Sequence, residues 1–195
     1  MSTEGLAAAQ QKMADAGVAQ TAIDVFSHYY GQLEDGVTGS IPEDTIEPYL
    51  DPPQLEDVQI DVGHAKQVFD QLAIINLNGG LGTSMGLDKA KSLLPVRDGK
   101  SFLDIIVEQV LAARRGTGSR LPLIFMNSFR TREDTLEVLA KYSDLPVGDL
   151  PLDFLQNKEP KLRVDDLTPV QWETEPDLEW CPPGHGDIYT ALQTS

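Results

Sequence analysis

Residues 72–86, Leu-Ala-Ile-Ile-Asn-Leu-Asn-Gly-Gly-Leu-Gly-Thr-Ser-Met-Gly, join an apolar run directly to a glycine-rich turn. The apolar run, residues 72–77, is interrupted only by Asn76, which is typical of a parallel strand covered on both faces. Four glycines within residues 79–86 allow backbone amides to approach a ligand that a Cβ atom would hold away. The stretch therefore predicts a strand that ends in a nucleotide-binding turn.

The spacing of the glycines excludes two common nucleotide-binding loops. A dinucleotide-binding turn has the pattern G-x-G-x-x-G, but after Gly80 and Gly82 the next glycine comes one residue late, at Gly86. A P-loop needs four residues between its glycines and then Gly-Lys-Ser/Thr, which is also absent. What remains is a Gly-Gly-x-Gly-Thr turn whose amides can wrap a base and phosphates, followed by Lys91 as a cation for the phosphate charge. A tight connection whose glycines only permit close packing stays an alternative.

Strand and helix patterns alternate after this turn. Ser101 with Asp104 three residues later predicts a helix N-cap, and apolar residues at helical spacing continue to about Gly116. Further patterns predict a short edge strand at 93–96 with a turn at 98–99, strands at 121–126 and 152–156, a helix from Thr131, and a helix at 188–192 capped by Asp187. This order implies a parallel sheet with right-handed crossovers and a ligand at the carboxyl ends of its strands.

The first third of the chain has a different pattern. Residues 1–36 are predicted to be helical, with interruptions at Gly31 and Gly36. Within them, Phe26, Tyr29 and Tyr30 are interpreted as the buried side of a packing helix rather than as a stacking platform, and proline-rich, acidic residues 36–64 as an extended connector. We therefore predict an N-terminal helical segment with its connector at residues 1–68 and a nucleotide-binding domain at residues 69–195.

Composition restricts the partners and the compartment. The 195 residues include 31 acidic and 15 basic ones, a net charge of -16, which argues against nucleic acid or an anionic membrane surface as a partner. The single cysteine, Cys181, allows no intrachain disulfide and favours a reducing compartment, so a cytoplasmic protein is expected. Neither a membrane span nor a secretion signal is expected from the sequence. Three histidines far apart and one cysteine do not form a zinc pattern.

Three more segments accompany the glycine-rich turn: Met126-Asn127-Ser128-Phe129, Phe154-Leu155-Gln156-Asn157-Lys158, and residues 180–189, Trp-Cys-Pro-Pro-Gly-His-Gly-Asp-Ile-Tyr. Together with residues 77–86, and in the same order, they resemble the eukaryotic-type UTP:glucose-1-phosphate uridylyltransferases, also called UDP-glucose pyrophosphorylases. The resemblance implies an α/β fold of the Rossmann-like, GT-A-like nucleotidyltransferase type. Its mostly parallel sheet would be incomplete here and preceded by a helical segment.

The resemblance also implies roles for individual residues in the transfer of uridylyl from UTP to glucose 1-phosphate. Leu77, Asn78, Gly79 and Gly80 match positions that line the uridine and phosphates, with the two glycines also near the sugar phosphate. Lys91 matches the catalytic lysine at the triphosphate, and magnesium is implied as the cofactor. Two further positions, Gln156 and Gly184, match the residues that read the uracil edge, and His185 matches a histidine near the sugar phosphate. No metal ligand is assigned.

Two departures from the family pattern affect these expectations. The family usually has Gly-Pro-Lys-Ser where this chain has Lys-Ala-Lys-Ser, so Lys89 competes with Lys91 for the role at the phosphates. The family's Asn-x-Asp-Asn segment and a further lysine do not occur by Ser195, so we expect the N-terminal, nucleotide-binding part of such an enzyme, with little or no turnover of its own. A uridylyltransferase for another sugar 1-phosphate, or a non-catalytic nucleotide-binding or interaction module, are the alternatives.

Overall fold

A computed structural model of the chain describes residues 3–59, 61–81, 86 and 89–195. Part of the predicted glycine pattern, residues 82–85, lies outside the described residues, as do positions 87 and 88. The helices are α1 (Thr3–Asp15), α2 (Gln20–Glu34), α3 (Ala65–Asp70), α4 (Phe102–Thr117), α5 (Arg132–Leu139) and α6 (Ile188–Thr194). The strands are β1 (Ile74–Asn78), β2 (Pro95–Arg97), β3 (Lys100–Ser101), β4 (Leu123–Asn127), β5 (Asp153–Leu155), β6 (Glu159–Pro160) and β7 (Trp180–Cys181). Within the described ranges, no helix combines the length and apolarity needed to cross a membrane.

The central sheet is parallel, as the alternation of patterns predicts. Its order is β1-β4-β5, and both pairs run parallel. Asn78 pairs with Asn127, and Asn127 pairs with Leu155, so the three strands end side by side. The segments that follow them leave the sheet at one common edge, which in open α/β sheets is where ligands bind.

Helices cover both faces of this sheet because alternate strand residues point to opposite sides. On one face α4 and α5 enclose the main core, which consists of Leu103, Val107, Val110, Leu121, Leu123, Phe125, Leu139 and Leu145. On the other face Met126 and Phe154 pack with Ala191 of α6. The prediction of an α/β fold with a parallel, doubly covered sheet is therefore confirmed.

The connection from β1 to α4 follows the sequence signals closely. β2 and β3 form an antiparallel hairpin whose turn residues, Asp98 and Gly99, have φ values of 53° and 73°. The hydroxyl of Ser101 accepts a hydrogen bond from the Asp104 amide at 3.2 Å, and the Asp104 carboxylate accepts one from the Ser101 amide at 2.8 Å. This capping box starts α4, which ends at Thr117, one residue beyond the predicted Gly116, with Gly118 at φ 66° as its C-cap.

The N-terminal helices pack against the last third of the chain. Their buried residues are Ala9, Met13, Ile23, Phe26 and Tyr30, and Leu162, Leu167 and Trp180 lie against them. The Tyr30 hydroxyl donates to the Leu167 carbonyl at 3.0 Å, and the Lys12 ammonium donates to the Val170 carbonyl at 2.8 Å and pairs with Glu179. The helical segment is thus attached to residues 162–180 by buried contacts.

Three details of the sequence interpretation are wrong. Residues 3–34 form two helices separated near Gly17, whose φ is 74°, whereas Gly31 lies inside α2. The Tyr29 side chain is 61% exposed, because α2 turns Phe26 and Tyr30 inward instead. Asp187 precedes α6 but its carboxylate makes no capping hydrogen bond, since it is used elsewhere.

The capping box offers a direct test of what starts α4. Replacement of Ser101 by alanine should lower the free energy of unfolding by about 1–2 kcal/mol, since both the cap and one partner of the Asp104 carboxylate are lost. Urea denaturation followed by circular dichroism measures this. Ser143→Ala, at an exposed serine, is the matched control and should change stability by less than about 0.5 kcal/mol. Equal effects of the two substitutions would contradict the role given to the box.

Candidate functional site

The candidate site is the edge of the sheet where β1, β4 and β5 end. Gly79 and Gly80 follow β1, Ser128 follows β4, and Gln156 follows β5. The amide of Gln156 donates to the Asn127 carbonyl at 2.8 Å, which continues the ladder one residue past β5. In-register pairing therefore places three of the four segments that carry the family resemblance next to one another.

The side chain of Asn78 faces the protein. It is only 5% exposed, and its amide nitrogen donates to Asn127 Oδ1 and to Thr135 Oγ1, both at 2.8 Å. Leu77, one residue earlier, is 39% exposed. What Asn78 can offer a ligand is therefore the position of the backbone that follows it, while its side chain holds the end of β1 to β4 and α5.

Gly79 lies in direct contact with Gln156. A Cβ atom built on Gly79 would lie 2.2 Å from Gln156 Oε1, well inside van der Waals contact. The side-chain nitrogen of Gln156, Nε2, donates to the Pro183 carbonyl at 2.7 Å, and the Gln156 residue is 6% exposed. The glycine-rich turn, Gln156 and the Pro183–Gly184 segment therefore meet, which brings together the residues predicted to hold the phosphates and to read the base.

Lys91 is attached to the same turn through the backbone. Its amide donates to the Gly80 carbonyl at 3.1 Å, and Leu81 forms an antiparallel bridge with Ala90. The other candidate cation, Lys89, lies 3.7 Å from the Asp134 carboxylate. Across the described ranges, no carboxylate lies within ion-pair distance of the exposed Lys91 ammonium. Of the two lysines, Lys89 therefore has a carboxylate partner among the described residues and Lys91 has none there.

His185 lies in a short turn that leads into α6. The turn spans His185–Asp187, and the His185 side chain is exposed. The Asp187 carboxylate accepts hydrogen bonds from the Asn157 amide at 2.8 Å and from its side-chain nitrogen at 2.9 Å. Asp187 therefore fixes the His185 turn to the segment that carries Gln156. Its carboxylate makes these two hydrogen bonds instead of capping α6.

A cavity of about 640 Å³ separates this turn from α2. Its walls combine Phe26 and Tyr29 of α2 with Glu159, Gly184 and Asp187. Burial, together with the nearby charge of Asp187, raises the pKa of Glu159 to about 7. The protonation of Glu159 therefore changes near neutral pH beside the segment that contains Gly184.

The described residues contain no preformed cluster of metal-binding side chains. No group of three histidine, cysteine, aspartate or glutamate side chains that could hold a metal ion occurs within those ranges. A magnesium ion that accompanies a nucleotide usually takes one or two carboxylates together with phosphate oxygens, so it needs no such group of three.

Sequence reasoning missed the buried polar residues under the turn. Asn127, Thr131 and Thr135 are fully buried, and Asn127 donates to the Asp153 carboxylate, which is also paired with Arg132. Asn127, a polar residue at the end of an apolar strand within a segment that resembles the family, was the sequence signal that could have indicated this buried network. The residues at the starts of α5 and β5 carry no local pattern that would reveal this network.

Comparison with known proteins gives consistent matches. The family model for UTP--glucose-1-phosphate uridylyltransferase matches residues 23–195. The protein of that name from Solanum tuberosum is 38% identical over 143 residues, which cover 73% of this chain and 30% of the relative. The one from Pyrus pyrifolia is 40% identical over 136 residues, which cover 69% of this chain and 28% of the relative.

Solved structures give the same result. A mutant of UDP-glucose pyrophosphorylase from Leishmania major, in complex with UDP-glucose, superposes with a TM-score of 0.85 at 40% identity. That match covers 98% of this chain and 40% of the Leishmania chain. The UDP-glucose phosphorylase of Trypanosoma brucei matches with a TM-score of 0.85 at 38% identity, over 98% of this chain and 41% of that one. The chain thus spans well under half the length of the proteins it matches.

The contact between Gly79 and Gln156 can be tested with adjacent glycines. Gly79→Ala should displace Gln156 from the Pro183 carbonyl and cost about 1–2 kcal/mol of stability. Gly80→Ala is the matched control, because no described atom lies within 4 Å of a Cβ built there. Chemical denaturation of both variants, and of Gly79→Ala combined with Gln156→Ala, measures the coupling. Additive effects of the two substitutions would contradict the contact.

The raised pKa of Glu159 predicts a specific dependence of stability on pH. Because the folded state binds this proton more tightly than the unfolded state, stability falls as pH rises from about 4.5 to about 7. Glu159→Gln removes that contribution, so the variant should gain about 1–2 kcal/mol relative to wild type between pH 5 and pH 8. Thermal unfolding of both proteins at the two pH values measures this difference. A constant difference between them would show that Glu159 has an ordinary pKa.

Proposed function

Because the chain belongs to the UTP--glucose-1-phosphate uridylyltransferase family, we propose that it forms the UTP-binding part of an enzyme that makes UDP-glucose. In the proposed reaction an oxygen of glucose 1-phosphate attacks the α-phosphorus of UTP. A P–O bond forms to the sugar phosphate as the bond to pyrophosphate breaks. The chain covers 26–31% of the length of its curated relatives, so the activity of the whole protein is part of this proposal.

One observation carries this proposal: the convergence of Gly79, Gln156 and the Pro183–Gly184 segment at the carboxyl edge of the sheet. No described atom lies within 4 Å of a Cβ position at Gly80, so the amides of this glycine turn can donate hydrogen bonds to phosphates. Next to it, the Gln156 amide and the backbone at Gly184 offer both donors and acceptors, which suits recognition of a pyrimidine edge. The base and the phosphates of one nucleotide would thereby contact adjacent segments.

The described residues support the reaction through positioning and charge neutralisation. Phosphoryl transfer of this kind needs no covalent nucleophile from the protein when the two substrates are held in line. Lys91, connected to Gly80 through its amide and without a carboxylate partner among the described residues, would neutralise charge on the triphosphate. His185, exposed on its turn, would meet the sugar phosphate. Magnesium, as the metal that usually accompanies nucleoside triphosphates, and a cytoplasmic location remain predictions from the sequence.

Nucleotide binding by the 195-residue chain tests the proposal. Isothermal titration calorimetry with UTP in magnesium should give binding that ATP does not reproduce, since the donors and acceptors at Gln156 and Gly184 would match a pyrimidine edge. Lys91→Ala should weaken UTP binding about tenfold, which corresponds to the loss of one charge-assisted contact. Lys89→Ala, the matched control beside Asp134, should change it less than about threefold.

The outcomes separate the proposal from its alternatives. Equal binding of UTP and ATP would contradict the uridine assignment, and a larger effect of Lys89→Ala would transfer the phosphate role to that residue. Production of UDP-glucose from UTP and glucose 1-phosphate by the chain alone would contradict the expectation that the chain turns over little by itself.

A further inference from the structure

We infer that Thr131 is a positioning residue for the nucleotide site: its buried hydroxyl fixes the peptide between Asn78 and Gly79, so that the Gly79 amide is directed at the ligand. The inference rests on the proposed function in assigning that ligand to the phosphates of UTP.

The ladder between these strands is interrupted at its last rung. The Ile74 amide donates to the Pro122 carbonyl, and in a parallel pair the rungs repeat at regular spacing along both strands. Continued past the ends of the strands, the ladder would join the Ser128 amide to the Asn78 carbonyl. In the structure the Ser128 amide donates instead to Thr131 Oγ1 at 3.0 Å, and Thr131 Oγ1 donates to the Asn78 carbonyl at 2.7 Å. The hydroxyl replaces the missing rung.

The direction of this relay follows from the number of hydrogens. A threonine hydroxyl has one hydrogen to donate. The Asn78 carbonyl lies 2.7 Å from Thr131 Oγ1, whereas the Ser128 carbonyl lies at 3.4 Å, so the hydrogen belongs to the Asn78 contact. The Ser128 amide and the Ser128 hydroxyl, at 3.0 and 3.2 Å from Thr131 Oγ1, then donate to the lone pairs of that oxygen. All of these groups are buried, where an unmade hydrogen bond is costly.

Thr131 gives up its usual local role to make this contact. It occupies the N-cap position of α5, where a threonine hydroxyl ordinarily accepts a hydrogen bond from an amide of the first turn. Here no side-chain cap forms, and the hydroxyl reaches a residue 53 positions away in the sequence. The Thr131 hydroxyl therefore bonds to the Asn78 carbonyl instead of capping the first turn of α5.

The contact determines where the Gly79 amide points. A trans peptide is planar, so its N–H and C=O point in opposite directions. With the Asn78 carbonyl held by Thr131, the Gly79 N–H is directed away from Thr131, and within the described part of the chain no group accepts it. A second contact prevents the strand end from twisting, because the Asn78 side chain donates to Asn127 and Thr135. Thr131 therefore acts on a ligand through the backbone, without touching it.

The test compares three variants of the full 195-residue chain. Thr131→Val keeps the shape and removes the hydroxyl, whereas Thr131→Ser keeps the hydroxyl. Thr117→Val is the matched control, since the Thr117 hydroxyl donates to the Ala113 carbonyl at the opposite end of the sheet. Should Thr131→Val not fold by circular dichroism, Thr131→Cys replaces it, because a thiol is a weak donor of similar size.

The first readout is made without ligand. In ¹⁵N-resolved spectra of the free protein, Thr131→Val should shift the Gly79 amide resonance. It should also speed hydrogen exchange of the Ser128 amide, which loses Thr131 Oγ1 as its acceptor, at least tenfold, whereas Thr131→Ser and Thr117→Val should do neither. A purely structural role would lower global stability and change the exchange of core amides in α4 equally. An unchanged Gly79 amide in folded Thr131→Val would overturn the inference.

The second readout is UTP affinity by calorimetry. Thr131→Val should weaken it about tenfold, the effect of misplacing one donor to a phosphate, and Thr131→Ser should restore it to within about threefold of wild type. Unchanged affinity with a displaced Gly79 amide would overturn the link to the nucleotide. Absence of UTP binding by the wild-type chain would count against the proposed function, and the ligand-free amide readout would still decide whether Thr131 positions Gly79.

Discussion

The in-register parallel pairing of β1, β4 and β5 is the constraint on which the rest of the structure depends. Because the three strands end opposite one another, the segments that follow them lie side by side at one edge of the sheet. Gly79, Ser128 and Gln156 come from positions far apart in the sequence, and only this register makes them neighbours. A shift of one strand by a single residue would turn Asn78 and Asn127 to the wrong faces and leave both amides without partners.

Much of this arrangement is predictable from the sequence because its causes are local. The capping box at Ser101 and Asp104, the turn at Asp98 and the apolar run before Gly79 each have a signature within a few residues. These signals give the order of strands and helices, and the handedness of crossovers then gives a parallel sheet. The family resemblance adds candidate site residues, and the structure places Gly79, Gln156 and Gly184 at one edge while their roles remain predictions.

The parts that sequence reasoning missed depend on partners far away in the chain. Asp187 has the right residue type for a helix cap, and nothing near it indicates that Asn157 takes its carboxylate instead. Thr131 likewise stands at the predicted start of a helix, but its hydroxyl contacts Asn78. For Tyr29 the helical period was read with an error of about one position, since Phe26 and Tyr30 make the buried contacts. In each case the competing interaction is tertiary and leaves no local pattern.

The attachment of the N-terminal helices to residues 162–180 affects how the chain folds during its synthesis on the ribosome. Tyr30 finds its carbonyl partner 137 residues later, and Lys12 finds its partner 158 residues later. At a synthesis rate of roughly 5–20 residues per second, α1 and α2 wait on the order of ten seconds for the surface that covers Phe26. During that interval their apolar faces can be shielded only by each other or by a chaperone, so these two helices reach their native environment only after residues 162–180 have been made.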